Sequence, residues 1–342
     1  SFASDPTRGF FIMVLIVLAI GGALALFAWR APTLQGGTAF EPVSRETALL
    51  LNNVFLVVAC ACVFVGTLYP LVLDAWNGTK ISVGPPYFAV TFAPIFFALL
   101  LLVPFGPQMG WRRGNLKQAL RTLYPAMGMA AVAGLAVLAV VTPRSLTAVG
   151  AFVVAGWLIG ASILDVMKRK GARAAAFASA LAHAGLAVTL MGVAGTTLWR
   201  SEALQVMGPG QIMTVGPYTL RFDGVTQVQG PNYTAQRAHI ALMDGSKVET
   251  VLEPEHRMYP EEGQDVSDTS IRTTGFRDLY LALGDGRGQG RFTVRAYVSP
   301  LAPFIWLGAL VMALGGFLSL WGRLRVKASE PAPTSATTMA AE

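Results

Sequence analysis

Seven long stretches of the chain are almost continuously apolar, and between them polar residues gather in short clusters. A bilayer core about 30 Å thick takes roughly 20 residues of helix, and lipid offers backbone groups no hydrogen-bond partner, so each stretch predicts a spanning helix. The stretches run approximately from Phe10 to Trp29, Thr47 to Leu73, Tyr87 to Phe105, Pro125 to Thr142, Ser145 to Met167, Ala174 to Trp199 and Leu301 to Trp321. Only the Thr142-Pro143-Arg144 turn divides the fourth from the fifth, and its proline marks the boundary that hydropathy alone would blur.

From Arg200 to Pro300 the pattern changes to short alternating runs, such as Tyr218 to Phe222 and Ala238 to Met243, punctuated by Gly and Asp. Alternation with period two predicts strands exposed on one face. Asp244-Gly245 reads as a hairpin turn, and Gly284 to Gly290 as a looser one between Asp278 to Leu283 and Arg291 to Val298. The expected fold is therefore mainly α, a polytopic membrane protein with about seven transmembrane helices, plus a small antiparallel β domain, barrel or sandwich. The expected domains are a membrane part over 1–199, a β-rich domain over 200–300, a final span over 301–322 and a disordered tail over 323–342, rich in Pro, Ala, Ser and Thr.

Composition agrees with the pattern: of 342 residues 54% are hydrophobic and 13% charged, against about 25% charged in soluble domains. The net charge of +7 does not point to nucleic acid, because the basic residues sit in short loops without interleaved aromatics. Short loops rich in Lys and Arg stay on the cytoplasmic side. Arg112, Arg113, Lys117 and Arg121 mark one such loop, Lys168, Arg169, Lys170 and Arg173 another, and Arg323, Arg325 and Lys327 the tail. Seven crossings put all three on one side. The N-terminus, the Lys80 loop and the 200–300 segment are then expected in the periplasm of a bacterial inner-membrane protein.

The chain starts at Ser1 without a charged leader and cleavage site, so the first stretch is expected to be a spanning helix, and the missing Met suggests a fragment or processed product. Cys60 and Cys62, two positions apart on a helix, point about 200° apart and should not pair. They read as small apolar residues of a span. Asn52, Asn53 and Asp165 read as helix-to-helix or i, i+3 partners, Asp165 with Lys168 or Arg169. The Ile81 to Tyr87 loop, with its two prolines, is stiff and faces outward.

Three histidines remain as candidate chemistry. His183 lies inside the sixth stretch, where an ionisable residue is costly unless something pairs with it. Ala176, Ser179, Ala180, Leu186 and Ala187 share its side of a helix, and these mostly small side chains leave room for a flat group. A neutral imidazole there suits an axial ligand of haem iron. The plain alternative is a hydrogen bond to a neighbouring helix. A second histidine ligand would have to come from another chain. His239, beside Arg237 in a predicted strand, and His256, in the polar Glu253-Pro-Glu-His-Arg stretch, read as exposed or structural.

These residues fall into runs that resemble the C-terminal half of the CcmF family, the haem lyase subunits of cytochrome c maturation. The runs include Phe40-Glu-Pro-Val-Ser-Arg-Glu-Thr-Ala-Leu-Leu-Leu-Asn-Asn53, Gly66-Thr-Leu-Tyr-Pro70, Ser82-Val-Gly-Pro-Pro-Tyr-Phe88, His183-Ala-Gly185, Pro231-Asn-Tyr-Thr-Ala-Gln-Arg-Ala-His239 and Asp278-Leu-Tyr-Leu-Ala-Leu-Gly-Asp285. The resemblance extends from Ser1 to about Trp321. It implies a lyase that attaches haem to apocytochrome c by thioether bonds, with haem as substrate. It also implies a separate membrane-embedded haem b that reduces the incoming haem, with His183 as one of its axial ligands. The implied partners are an N-terminal half supplying the second ligand, a periplasmic haem chaperone, apocytochrome c with its thiol-reducing partners, and membrane lipid. The family's tryptophan-rich periplasmic motif is absent, so the chain is not expected to be active alone. A transporter with an accessory periplasmic domain, or a non-catalytic assembly scaffold, stands as the alternative.

Overall fold

The computed structural model describes residues 6–33, 39–79, 81, 83–140, 145–168, 173–260 and 263–329. Helices α1 (Pro6–Arg30), α2 (Arg45–Asn77), α3 (Pro85–Leu102), α4 (Leu116–Val140), α5 (Leu146–Lys168), α6 (Arg173–Leu198) and α7 (Ala302–Ser329) overlap the seven predicted stretches, the end of the third falling in a 3-10 helix over Val103–Gln108. All seven are long and apolar enough to cross a membrane. The Thr142-Pro143-Arg144 turn, Lys80, Ser82, Arg169 and Lys170 lie outside the described residues. Two boundaries differ from the sequence reading. α4 begins at Leu116, with Pro125 inside it, because the Asn115 side chain accepts the Gln118 N–H at 3.0 Å and caps the helix ahead of the apolar run. α7 continues through Ser329, so residues 323–329 are helical where a tail was expected, and the remainder of that tail lies outside the described residues.

The chain forms two compact units, residues 1–122 and 123–342. In the first, the Ser44 hydroxyl accepts the Thr47 N–H at 3.2 Å and starts α2. α2 and α3 pack as a hairpin in which the Tyr87 hydroxyl donates to the Cys62 carbonyl at 3.0 Å. The segment before α2 pairs with the basic loop after α3, Glu41 N–H donating to the Arg112 carbonyl and Gly114 N–H to the Val43 carbonyl. The Glu46 carboxylate accepts the Arg112 N–H at 2.8 Å, Arg113 meets Glu41 at 2.6 Å, and the Arg45 guanidinium lies over the Trp111 ring. Acid residues at the start of α2 thus hold the loop that carries the positive charge. Cys60 and Cys62 are both free thiols, and the Asn52 amide reaches only its neighbour Asn53.

In the second unit α5 lies against α4 through glycines. A Cβ on Gly160 would stand 2.8 Å from Ala126 Cα, and one on Gly156 2.9 Å from the Met129 oxygen. Between α6 and α7 the chain makes ten antiparallel strands: β1 (Ser201–Met207), β2 (Ile212–Val215), β3 (Tyr218–Gln229), β4 (Thr234–Asp244), β5 (Lys247–Leu252), β6 (Glu255–Tyr259), β7 (Gln264–Asp268), β8 (Ser270–Thr274), β9 (Arg277–Gly286) and β10 (Phe292–Pro300). They form a four-stranded sheet, β1-β10-β9-β8, and a six-stranded one, β2-β3-β4-β6-β7 with β5 also on β4. Asp244 pairs with Lys247 across a two-residue turn in which Gly245 has φ +59°, as a type of loop that glycine suits. The second predicted hairpin also forms, with Phe292 opposite Gly286.

Strand alternation sends Leu220, Phe222, Ile240 and Leu242 from one sheet against Leu279, Leu281, Leu283 and Val294 from the other. Each buried Leu or Phe here contributes on the order of 2 kcal/mol through area removed from water. The result is a β-sandwich, its two sheets also bridged by the ion pair of Arg272 on β8 with Glu249 on β5. Outside the core, Glu255, 4% exposed, sits between Arg237 and Arg257 at 2.6 and 2.7 Å. Burial disfavours its charge, but hydrogen bonds from the two guanidinium groups outweigh that and hold its carboxyl below the usual range.

Candidate functional site

His183 lies in the N-terminal half of α6, and two packed faces of that helix determine where it points. One face meets α7 with almost no side chain between the backbones: a Cβ on Gly185 would stand 2.6 Å from Met312 N, one on Gly192 2.6 Å from Ile305 N, and one on Gly315 2.5 Å from Ala182 N. Small residues at such a seam let two helix backbones touch, which is the usual way helices associate in lipid. At 100° per residue, His183 projects roughly 145° around the helix from this seam.

The other packed face carries Ala176, Ala180 and Ala187, at 0%, 7% and 0% exposure, and His183 sits among them three or four positions from the last two. α5 supplies the facing wall, including Asp165, 6% exposed and within electrostatic reach of the imidazole. Hydroxyls nearby are occupied locally, Ser162 donating to the Leu158 carbonyl at 2.7 Å and Thr189 to the Gly185 carbonyl at 3.1 Å. Among the described residues no hydrogen bond engages the His183 ring. It is half-buried, with Ala180 and Ala187 one turn away on one side and Ser179 and Leu186 one turn away on the other.

The donor set fits one axial position of a haem. A neutral imidazole nitrogen is a usual iron ligand, and the half-buried ring is left partly uncovered by α5 and α7. No second histidine occurs in any of the seven helices.

The other two histidines are in the sandwich. His239 is held in place, its Nε2 3.0 Å from the Thr226 hydroxyl and its Nδ1 3.1 Å from the Glu253 carboxylate. That is a structural setting. His256 on β6 faces the other way, into the end of the sandwich, and its Nδ1 is buried without a hydrogen-bond partner. Sequence reasoning grouped the two together, and missed both that difference and the glycine seam of α6 with α7.

Residues 198–300 match the family model described as the CcmF C-terminal beta-sandwich. Over 97% of its length the chain is 41% identical to the cytochrome c-type biogenesis protein CycK of Bradyrhizobium diazoefficiens, covering 53% of that protein. It is 37% identical to the cytochrome c-type biogenesis protein CcmF of Pseudomonas aeruginosa, over 96% of this chain and 51% of that one. The chain thus spans about half the length of the curated relatives it matches. A solved structure titled cytochrome c heme lyase CcmF superposes with a TM-score of 0.70 at 24% identity, over 92% of this chain and 50% of that one. The likeness shows a shared fold.

Proposed function

We propose that this chain is a CcmF-family protein and forms the C-terminal part of a cytochrome c haem lyase, with His183 as one axial ligand of a membrane-embedded b-type haem. The observation that carries the reading is the alignment of nearly the whole chain with cytochrome c biogenesis proteins, together with one unengaged imidazole on an alanine face inside a helix bundle. The sequence resemblance supports that role for His183.

When bound, the group supplies an electron to the iron of the haem that is the substrate. The α7 seam fixes the rotation of α6, and α5 closes the alanine face, so His183 is held in one direction before anything binds. The second ligand, and the surface that carries the substrate haem, come from the portion of the relatives that this chain does not span. Thioether formation adds each apocytochrome thiol across a haem vinyl group, the sulfur bonding to one carbon and the proton going to the other. Positioning is the main demand such an addition makes on a protein.

The arrangement in the membrane follows from charge: the two basic loops and the end of α7 face the cytoplasm and the sandwich faces the periplasm. Beside the haem chaperone and apocytochrome c, the portion of the relatives that this chain does not span is needed for the activity. The test is complementation of a bacterium that lacks its own CcmF. Expression of this chain with the portion of a relative that it does not span should restore haem-stained c-type cytochromes, and either piece alone should not. Both pieces inserted in the membrane with no maturation would contradict the reading.

A further inference from the structure

The inner face of the sandwich changes chemistry part of the way along its strands, with register shifts in β3 and between β9 and β10. On β4 the inward residues are Leu242, Ile240 and Ala238, all buried in the core, and then Gln236 and Thr234. β3 repeats this, with Leu220, Phe222 and Val225 followed by Gln227 and Gln229, which register opposite Gln236 and Thr234. On the facing sheet, β9 runs Leu279, Leu281 and Leu283, after which a register shift places Gly286 opposite Phe292 and leaves Asp285 exposed beside it. β6 and β7 complete the polar rows: His256 pairs with Gln236 and Ser267, and Met258 with Thr234 and Asp265.

Where the rows turn polar the sheets enclose an open cavity of about 530 Å³, lined by these polar-row residues other than Ser267 and by Val228, Ala235 and Gly286. The size is that of pockets which take compact ligands or a few residues of a peptide, about 300–1,000 Å³. Contact with water would account for polar groups at the rim. It does not account for His256, whose Nδ1 is buried beneath them with no partner. Asp265 and Asp285, both exposed, also have no ion pair among the described residues, nor do Asp244 and Asp278, whereas Glu202, Asp223, Glu249, Glu253, Glu255 and Asp268 each have one. No lysine or arginine lines the cavity.

We propose that this cavity binds an extended polypeptide segment bearing a basic side chain. Two unneutralised carboxylates set the charge of the occupant as a cation. Three carboxamides and a threonine hydroxyl, each both donor and acceptor, suit the N–H and C=O groups of a peptide backbone better than they suit a bare ion. The half-exposed Met258 thioether gives an adaptable apolar contact for the stem of the side chain. The inference rests on the reading above in one respect: that reading supplies an unfolded polypeptide as the substrate which such a site would hold.

The test uses the full chain in lipid nanodiscs and calorimetric titration with a blocked hexapeptide carrying one central lysine. Versions with norleucine or glutamate in its place, and spermidine as a free ammonium source, serve as comparisons. The lysine peptide should bind at least tenfold more tightly than the norleucine and glutamate peptides and spermidine. The double variant Asp265→Asn/Asp285→Asn should lose at least tenfold, whereas Asp244→Asn, at the far end of β4, should bind as the wild type does. Equal binding of the norleucine peptide, equal binding of spermidine, or undiminished binding by the double variant would overturn the proposal. Circular dichroism of the double variant, expected to match the wild type, separates loss of the site from loss of the fold. Lysine-selective binding in a chain that fails complementation would remove the lyase reading and leave the site. Complementation without peptide selectivity would do the reverse.

Discussion

A Cβ placed on Gly185 of α6 would lie 2.6 Å from the backbone nitrogen of Met312 in α7, closer than packed atoms approach. The two helices therefore meet as bare backbones two residues from His183, and any bulk added to the seam must move α6 and the imidazole with it.

Gly308 and Gly316 give a matched pair for that claim, since both lie on α7 but Gly308 faces Thr189 and Gly185 while Gly316 has open space around it. Gly308→Leu should destabilise the protein by roughly 1–3 kcal/mol or more through overpacking. Gly316→Leu should be close to neutral. Thermal melting in detergent measures both, and equal melting temperatures for the two variants would show that the seam does not hold the helices.

Glu255 gives a prediction in pH. Its carboxyl is held below the usual range in the folded state, so the stabilisation is complete above its unfolded value near 4.5 and is lost as pH falls through the lowered folded value. The arginines stay charged throughout and do not change the sign. Glu255→Gln should cost on the order of 1–3 kcal/mol at neutral pH, between the values for exposed and buried ion pairs. It should also flatten the acid limb of a melting-temperature profile between pH 7 and 3. A variant with the wild-type profile would mean that the Arg237, Glu255 and Arg257 cluster is not what acid breaks.

The orientation in the membrane can be read with reporter fusions at Asn115, Lys170 and Gly230. Cytoplasmic signals are expected at the first two and a periplasmic signal at Gly230. A periplasmic signal at Lys170 would reverse the assignment.

Much of this architecture is legible in the sequence because lipid and strand pleating each impose a simple pattern. Continuous apolarity marks the helices, and alternation marks β3, β4, β9 and β10. The start of α4 escapes that reading, since Leu116 to Tyr124 mixes Lys, Gln, Arg and Thr with leucines and falls below the apolarity of a span even though the helix is continuous. Whether the strands close as a barrel or stack as a sandwich depends on pairings such as Ser201 with Val298, nearly a hundred residues apart, which local pattern does not encode. For the site, the oddity of His183 is visible at once, because an ionisable residue inside a span is rare. The seam that orients it is not, since a glycine in a membrane helix does not say which neighbour it faces. The polar end of the sandwich becomes visible only once parity is known, when Gln236 and His256 are seen to share the face of Ile240 and Leu242.

The central claim is that His183 ligates haem iron, and the absorption spectrum of this chain together with the portion of a relative that it does not span tests it most directly. The wild-type complex, oxidised and dithionite-reduced, should show a six-coordinate low-spin b-type spectrum. His183→Ala removes one ligand while the alanine face stays in place, so the haem should become five-coordinate or be lost, with protein still inserted in the membrane. Added imidazole should partly restore the six-coordinate form by filling the space that the side chain vacates. An unchanged six-coordinate spectrum with full haem content in His183→Ala would contradict the account.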